Sequence, residues 1–84
     1  MTAEQDYADL ARQAMAELLD TPDIERTDNL FAVGGDSMTA IQLAWRLAEV
    51  TGLEVNAADD IMREPTPLAI GRRLAERTAE PGAG

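Results

Sequence analysis

Apolar residues recur along this chain at helical spacing and are interrupted by proline and glycine, and this pattern most restricts the possible folds. Over residues 3–19 the apolar side chains follow the i, i+3, i+4, i+7 rule, which predicts an amphipathic helix. Thr2 and Gln5 have the spacing of a capping box at its start, and Pro22 follows its end. No segment alternates convincingly like a strand. The pattern therefore predicts an all-α fold.

A long loop and a second helix are predicted next. Residues 22–36 lack a sustained period, and a loop of about 15 residues in a compact domain is usually packed or functional. Three apolar residues are expected to hold it to the core, namely Leu30, Phe31 and Val33. The second helix is predicted over residues 37–51, with Gly52 at the position of a terminating glycine.

Two further helices complete the predicted fold. A brief third helix is expected to begin at Asn56 or Asp59 and to include Met62. The fourth should begin with Thr66 as N-cap and Pro67 in the first turn. The 84 residues suit a single domain, a small four-helix bundle with three longer helices and one short one. Its core is expected over about residues 3–78, followed by a flexible tail at 79–84.

The composition argues against several functions. Sixteen acidic and seven basic residues give a net charge of −9, which disfavours nucleic-acid binding. The chain has no histidine, cysteine or lysine, so it lacks the usual groups that activate a serine nucleophile, and we expect neither catalysis nor a metal site. No apolar run approaches the roughly 20 residues of a membrane span, and no secretory signal is seen. We expect a soluble, cytoplasmic monomer.

The segment Gly34-Gly35-Asp36-Ser37 carries the candidate chemistry. Glycines permit a sharp turn, and the serine after them is predicted to lie exposed at a helix N-terminus, where N–H groups and the helix dipole favour a phosphate. The same four residues could equally form a turn and a helix cap without further function. The surrounding sequence decides between these interpretations.

The stretch Asp28–Met38 resembles the signature around the modified serine of peptidyl carrier proteins from nonribosomal peptide synthesis. The resemblance extends over about residues 7–77. It includes Ala40, Leu43 and Leu47 of the second helix and the segment Asp60–Thr66. The resemblance departs at Leu30 and Met62, where aromatic residues are common, and at Ala32-Val33, where Glu-Leu is common. These departures concern the choice of partner more than the carrier role.

The resemblance implies a non-catalytic carrier protein with an acyl-carrier-like fold. A phosphopantetheinyl transferase would attach 4′-phosphopantetheine from coenzyme A to Ser37, within the motif formed by Gly34, Gly35 and Asp36. The arm would hold an aminoacyl or acyl thioester, so the cofactor supplies the sulfur that the chain lacks. Implied partners are an adenylation enzyme and condensation or tailoring enzymes. The short ends outside the helices lead us to expect a free-standing protein.

A second apolar stripe on the second helix predicts a partner surface. On a helical wheel, Met38, Ile41 and Trp45 lie apart from the expected core stripe, whose members are Ala40, Leu43, Leu47 and Val50. With Met62 they are candidate partner-binding residues. The alternative is that the loop or the third helix covers them.

Two other functions remain open from the sequence. One is an acyl or aryl carrier of polyketide, fatty-acid or siderophore-type synthesis, although the helix after Ser37 has no acidic residue before Glu49. The other is a helical interaction module whose serine is never modified. The sequence does not identify the cargo, the partner enzymes or the product.

Overall fold

The computed structural model describes residues 3–78, which form four helices. Helix α1 spans Ala3–Leu19, α2 spans Ser37–Thr51, α3 spans Ala57–Met62 and α4 spans Pro67–Thr78. The short α3 is wound as a π-helix, and residues 3–78 contain no strand. The predicted bundle of three longer helices and one short helix is confirmed. The capping box at Thr2 and the tail 79–84 lie outside the described residues.

Local hydrogen bonds define the end of the first helix. Asp20 takes a left-handed backbone conformation with φ of 53°. The N–H of Thr21 then donates to the carbonyl of Ala16 at 2.9 Å, and the N–H of Asp20 donates to that of Glu17 at 3.2 Å. This pair of bonds is the Schellman arrangement, here built without glycine. The helix therefore stops at its own cap, before Pro22.

The core lies between α1 and α4, which pack closely together, and α2, which packs against α1 and α3. Gly71 of α4 lies so close to α1 that a methyl group on it would come within 2.5 Å of the Ala8 nitrogen. This close approach lets the larger side chains interdigitate around it. The largest fully buried side chains are Met15, Leu30, Leu43, Leu47, Ile61, Pro67, Ile70 and Leu74.

Two apolar residues predicted to face the core are instead exposed. Phe31 is 41% exposed, because the Asn29 side chain accepts the N–H groups of Phe31 and Ala32 in a tight turn that directs only Leu30 inward. Val50 is 54% exposed. It lies at the edge of a shallow groove between α1 and α2. The ion pair between Arg46 of α2 and Glu17 of α1 spans this groove. The prediction was wrong at both positions.

A buried ion pair fixes the short helix α3. The Asp60 side chain is only 4% exposed and accepts hydrogen bonds from Arg77 of α4 at 2.9 and 3.0 Å and from the N–H of Asn56 at 2.8 Å. Arg77 also donates to the carbonyl of Glu54. The guanidinium of Arg77 thus connects three parts of the chain, namely the end of α4, the link that follows α2, and the helix α3.

The pKa of Asp60 reflects these contacts. Burial alone would raise it, but the hydrogen bonds from Arg77 and Asn56, with the charges of Arg77 and Arg73, outweigh burial and hold the pKa below its ordinary value of 3.8. Because the folded-state pKa is lowered, this contribution to stability is present above pH 3.8 and is lost as the pH falls through the folded-state pKa.

We expect Arg77→Met to lower the free energy of unfolding at pH 7 by about 1–3 kcal/mol, because it leaves the buried Asp60 carboxylate short of donors. The Arg77 side chain is 36% exposed, so the loss is smaller than for a fully buried pair. Denaturant unfolding at several pH values measures it, and the difference from wild type should shrink as the pH falls below 3.8.

Arg63→Met is the matched control. Arg63 pairs with Asp59 on the surface of the same short helix, with side chains 66% and 64% exposed. This loss should stay below about 0.5 kcal/mol. Equal losses in the two variants would contradict a special role for Arg77.

Candidate functional site

The first residue of α2 is Ser37, and its neighbour Asp36 caps the helix. The Asp36 carboxylate accepts the N–H of Thr39 at 3.0 Å, and the Thr39 hydroxyl lies 3.3 Å from the Asp36 nitrogen, which donates to it. The two residues thus form a capping box, and Asp36 has the extended backbone that is typical of an N-cap residue. Ser37 itself is exposed. A group attached to its hydroxyl can therefore extend into solvent without displacing a packed side chain.

Negative charge is stabilised at this helix end. The pKa of Asp36 is lowered, first by the hydrogen bond from the Thr39 N–H and then by that from the Thr39 hydroxyl. The carboxylate therefore stays ionised at neutral pH, next to the serine. The first N–H groups of a helix have no partner within the helix, so they favour a phosphate on Ser37. Such a phosphate would share this end with the Asp36 charge.

The two glycines before the cap perform different tasks. Gly34 has a φ of 109°, a conformation that side chains disfavour, and space is open around it. Gly35 is restricted by packing instead: a methyl group there would lie 2.8 Å from the side chain and the carbonyl oxygen of Leu30. The N–H of Gly35 donates to that carbonyl at 2.8 Å.

Leu30 connects this loop to the turn that precedes α4. Its side chain is fully buried, and its N–H donates to the carbonyl of Pro65 at 2.8 Å. A second backbone bond joins the N–H of Leu68 to the carbonyl of Arg26 at 2.9 Å. The turn into α4 thus holds the loop that presents Ser37.

The four candidate partner-binding residues differ in exposure. Met38 is 59% exposed and Trp45 is 70% exposed, whereas Ile41 and Met62 are half-buried. The loop and α3 therefore leave Met38 and Trp45 uncovered, contrary to the alternative considered from the sequence. Whether these residues bind a partner stays a prediction.

Sequence reasoning missed one exposed apolar residue near this region. Phe31 was assigned to the core, but it lies on the surface of the loop that precedes Ser37. The signal was Asn29, whose side chain favours a tight turn that separates the directions of consecutive residues.

Within residues 3–78, no three acidic side chains gather in an arrangement that could hold a metal ion. None of the helices described is both long and apolar enough to cross a bilayer.

Comparison with known proteins supplies a family match over most of the chain. The family model described as "Phosphopantetheine attachment site" matches residues 9–74, which include the loop, Ser37 and α2 to α4 up to Leu74. The matched region therefore contains the exposed serine and the turn that holds its loop.

Similar proteins include three peptide synthetases. A probable non-canonical nonribosomal peptide synthetase CymA of Salinispora arenicola is 32% identical over 95% of this chain. Nonribosomal peptide synthetase 32 of Fusarium pseudograminearum is 36% identical over 76%, and phosphinothricin tripeptide synthetase PhsB of Streptomyces viridochromogenes is 35% identical over 81%. The chain spans only 1%, 1% and 6% of their respective lengths.

We expect Gly35→Ala to lower the free energy of unfolding by about 1–3 kcal/mol, because its methyl group collides with Leu30. Leu30 cannot easily move, since its side chain is buried and its N–H is bonded to Pro65. Thermal and denaturant unfolding measure this loss of stability. The backbone amide NMR signals of Leu30 and of the residues next to Pro65 should also shift.

Gly34→Ala is the comparison for this prediction. It places a methyl group in open space, so its cost comes from backbone strain alone and the signals of Leu30 should change little. If Gly35→Ala left both stability and the Leu30 signals unchanged, the packing argument would be wrong.

Proposed function

Because the chain belongs to the phosphopantetheine attachment site family, by a match over residues 9–74, we propose that it is a carrier whose Ser37 bears the family's cofactor. Proteins of this family carry covalently attached 4′-phosphopantetheine, and membership confirms the resemblance to carrier domains of nonribosomal peptide synthesis seen in the sequence. The observation that carries the assignment to Ser37 is its exposed position at the N-terminus of α2 inside the matched region.

The residues around Ser37 fit this cofactor. The hydroxyl is accessible to a transferase, and the helix end favours the phosphodiester that attachment creates. In the attachment, Ser37 Oγ forms a bond to the phosphorus of coenzyme A that leads to pantetheine, the pyrophosphate bond breaks, and adenosine 3′,5′-bisphosphate leaves. We propose that the serine proton passes to a base of the transferase. Once bound, the arm supplies a thiol that forms a thioester with the cargo.

In that chemistry this chain holds the cofactor with its cargo and presents them to partner enzymes. The family is generally non-catalytic, and we propose the same for this chain. The capped helix and the anchored loop keep the attachment point in one orientation while partner enzymes act on the cargo. A rigid base with a mobile arm lets one carrier serve several active sites in turn.

The similar synthetases support a role in nonribosomal peptide synthesis with an aminoacyl cargo. We propose a phosphopantetheinyl transferase, an adenylation enzyme and condensation or tailoring enzymes as partners. The free-standing and cytoplasmic state expected from the sequence stays a prediction, because the relatives hold the matching segment within much longer chains. An acyl or aryl carrier role is the second candidate within the same family.

The partner surface we propose consists of Met38, Ile41, Trp45 and Met62. Met38 directly follows the attachment point, and its exposed thioether is flexible enough to adapt to different partners. Excess negative charge on the domain would attract basic partner surfaces.

We expect incubation with coenzyme A, Mg²⁺ and a promiscuous phosphopantetheinyl transferase to add one phosphopantetheinyl unit to the intact mass. Ser37→Ala should gain nothing, because it lacks the accepting hydroxyl. Thr27→Ala removes an exposed hydroxyl of the loop before Ser37 outside the capping box, serves as the control, and should still be modified. A folded wild-type protein that gained no mass, under conditions that modify a known carrier, would leave the unmodified interaction module as the better assignment.

We expect Met38→Ala to raise the KM for the transferase at least about five-fold, as truncating an interface anchor does, with little change in kcat. The melting temperature should stay within about 2 °C, since the side chain is largely exposed. Steady-state modification kinetics measure both constants. Gln42→Ala, also exposed on α2, is the matched control. Equal KM values in all three proteins would remove Met38 from the partner surface.

A further inference from the structure

The exposed indole of Trp45 lies beside an unpaired carboxylate. Trp45 is the single tryptophan of the chain and is 70% exposed. With Ala48 and Glu49 it lines a shallow depression on α2 that is wide open to solvent. Glu49 forms no ion pair with any residue of the described part of the chain. The neighbouring cation, Arg46, is already paired with Glu17 of α1.

This depression lies beside the attachment point in the direction around α2. Successive helical residues advance by roughly 100°, which places Ala48 about 20°, Trp45 about 80° and Glu49 about 120° from Ser37. Trp45 follows Ser37 by eight residues, a rise of about 12 Å along the axis. Helical side chains also tilt toward the N-terminus, so the indole leans toward Ser37.

A phosphopantetheine arm is long enough to reach this place. Fourteen bonds separate Ser37 Oγ from the terminal sulfur, which gives a reach of roughly 16 Å at the 3.3–3.6 Å per three bonds of an extended chain. A short flexible tether also holds its end at an effective concentration in the millimolar range, so weak contacts suffice for partial occupancy. The cargo attached to the sulfur can therefore contact Trp45 without any change of fold. Glu49 lies twelve residues after Ser37, a rise of about 18 Å. The amino group of an aminoacyl cargo lies three bonds beyond the sulfur, which extends the reach to roughly 19 Å and brings it to Glu49 as well.

We propose that Trp45 and Glu49 form a resting subsite for an aminoacyl cargo on the arm. The inference rests on the proposed function of Ser37. The ammonium group of an aminoacyl thioester is attracted to the indole face and to the Glu49 carboxylate. An apolar amino-acid side chain covers the exposed ring at the same time. A simple acyl group offers only the second contact, so the subsite distinguishes aminoacyl from acyl cargo.

Between encounters with partner enzymes, size and charge favour the cargo over a protein as the occupant of this depression. A stable protein interface buries roughly 800 Å² on each partner, far more than a depression lined by three residues provides. A second copy of this chain would also bring a net charge of −9 and another Glu49 to the same place. An enzyme that docks on α2 would displace the cargo from Trp45 and so release it to the active site.

The fluorescence of Trp45 tests the proposal directly, because no other tryptophan contributes. The arm is loaded with leucine through a stable amide in place of the thioester, and intact mass confirms complete modification. Acrylamide quenching is then compared among the apo protein, the unloaded arm, the leucyl arm and the N-acetyl-leucyl arm. The leucyl arm should lower the quenching constant by up to about half, the value for half occupancy by a tethered group. The N-acetyl-leucyl arm, which lacks the charge, should protect clearly less.

Two variants test whether the Glu49 carboxylate contributes to recognition of the ammonium group. Glu49→Gln should reduce the difference between leucyl and N-acetyl-leucyl arms to the part that the indole face contributes, whereas Glu76→Gln on α4, also exposed, should keep the whole difference. Equal quenching in all four wild-type forms, with modification complete by mass, would overturn the subsite while leaving the carrier function intact. Equal protection by the two loaded arms would overturn the recognition of the ammonium group. Failure to gain mass at all would overturn the carrier function together with the subsite.

Discussion

The burial of Leu30 is the constraint on which the position of the serine depends. Its side chain is fully enclosed, its N–H is bonded to Pro65, and its carbonyl accepts the N–H of Gly35. These contacts connect a loop with no helical structure to the turn between α3 and α4. Because Gly35 must fit against Leu30, the backbone reaches Asp36 in the extended conformation from which α2 begins. Ser37, the proposed attachment point, is thus positioned largely through the contacts of one buried leucine.

The distribution of charge determines which groups the surface around Ser37 attracts. Six arginines, at positions 12, 26, 46, 63, 73 and 77, form ion pairs with acidic side chains of the described residues. Much of the positive charge is therefore already paired within the domain, and the remaining acidic side chains give its surface a net negative charge. Asp36 and Glu49 carry part of this excess on or next to α2, where cationic groups of a partner or of the cargo would meet them.

The sequence predicted the fold better than it predicted the surface. The bounds of α1 and α2 agree with the periodicity, and Thr66 caps α4 as predicted. Where the sequence left two candidates, the structure selects Asp36 as the cap of α2 and Asn56 as the cap of α3. The placement of Phe31 and Val50 in the core was wrong, although both are apolar and lie beside buried residues. Hydrophobicity alone does not show whether a neighbouring element covers a side chain.

The sequence by itself determined the helices, their ends and the position of Ser37 at a helix start, because helical period, capping and left-handed turns depend on residues within about five positions of one another. Only the tertiary structure decided that Arg77 binds Asp60, that Leu30 bonds to Pro65 and that Trp45 stays uncovered. Such contacts join residues far apart in the chain. They exist only after the helices have packed, so no local pattern encodes them.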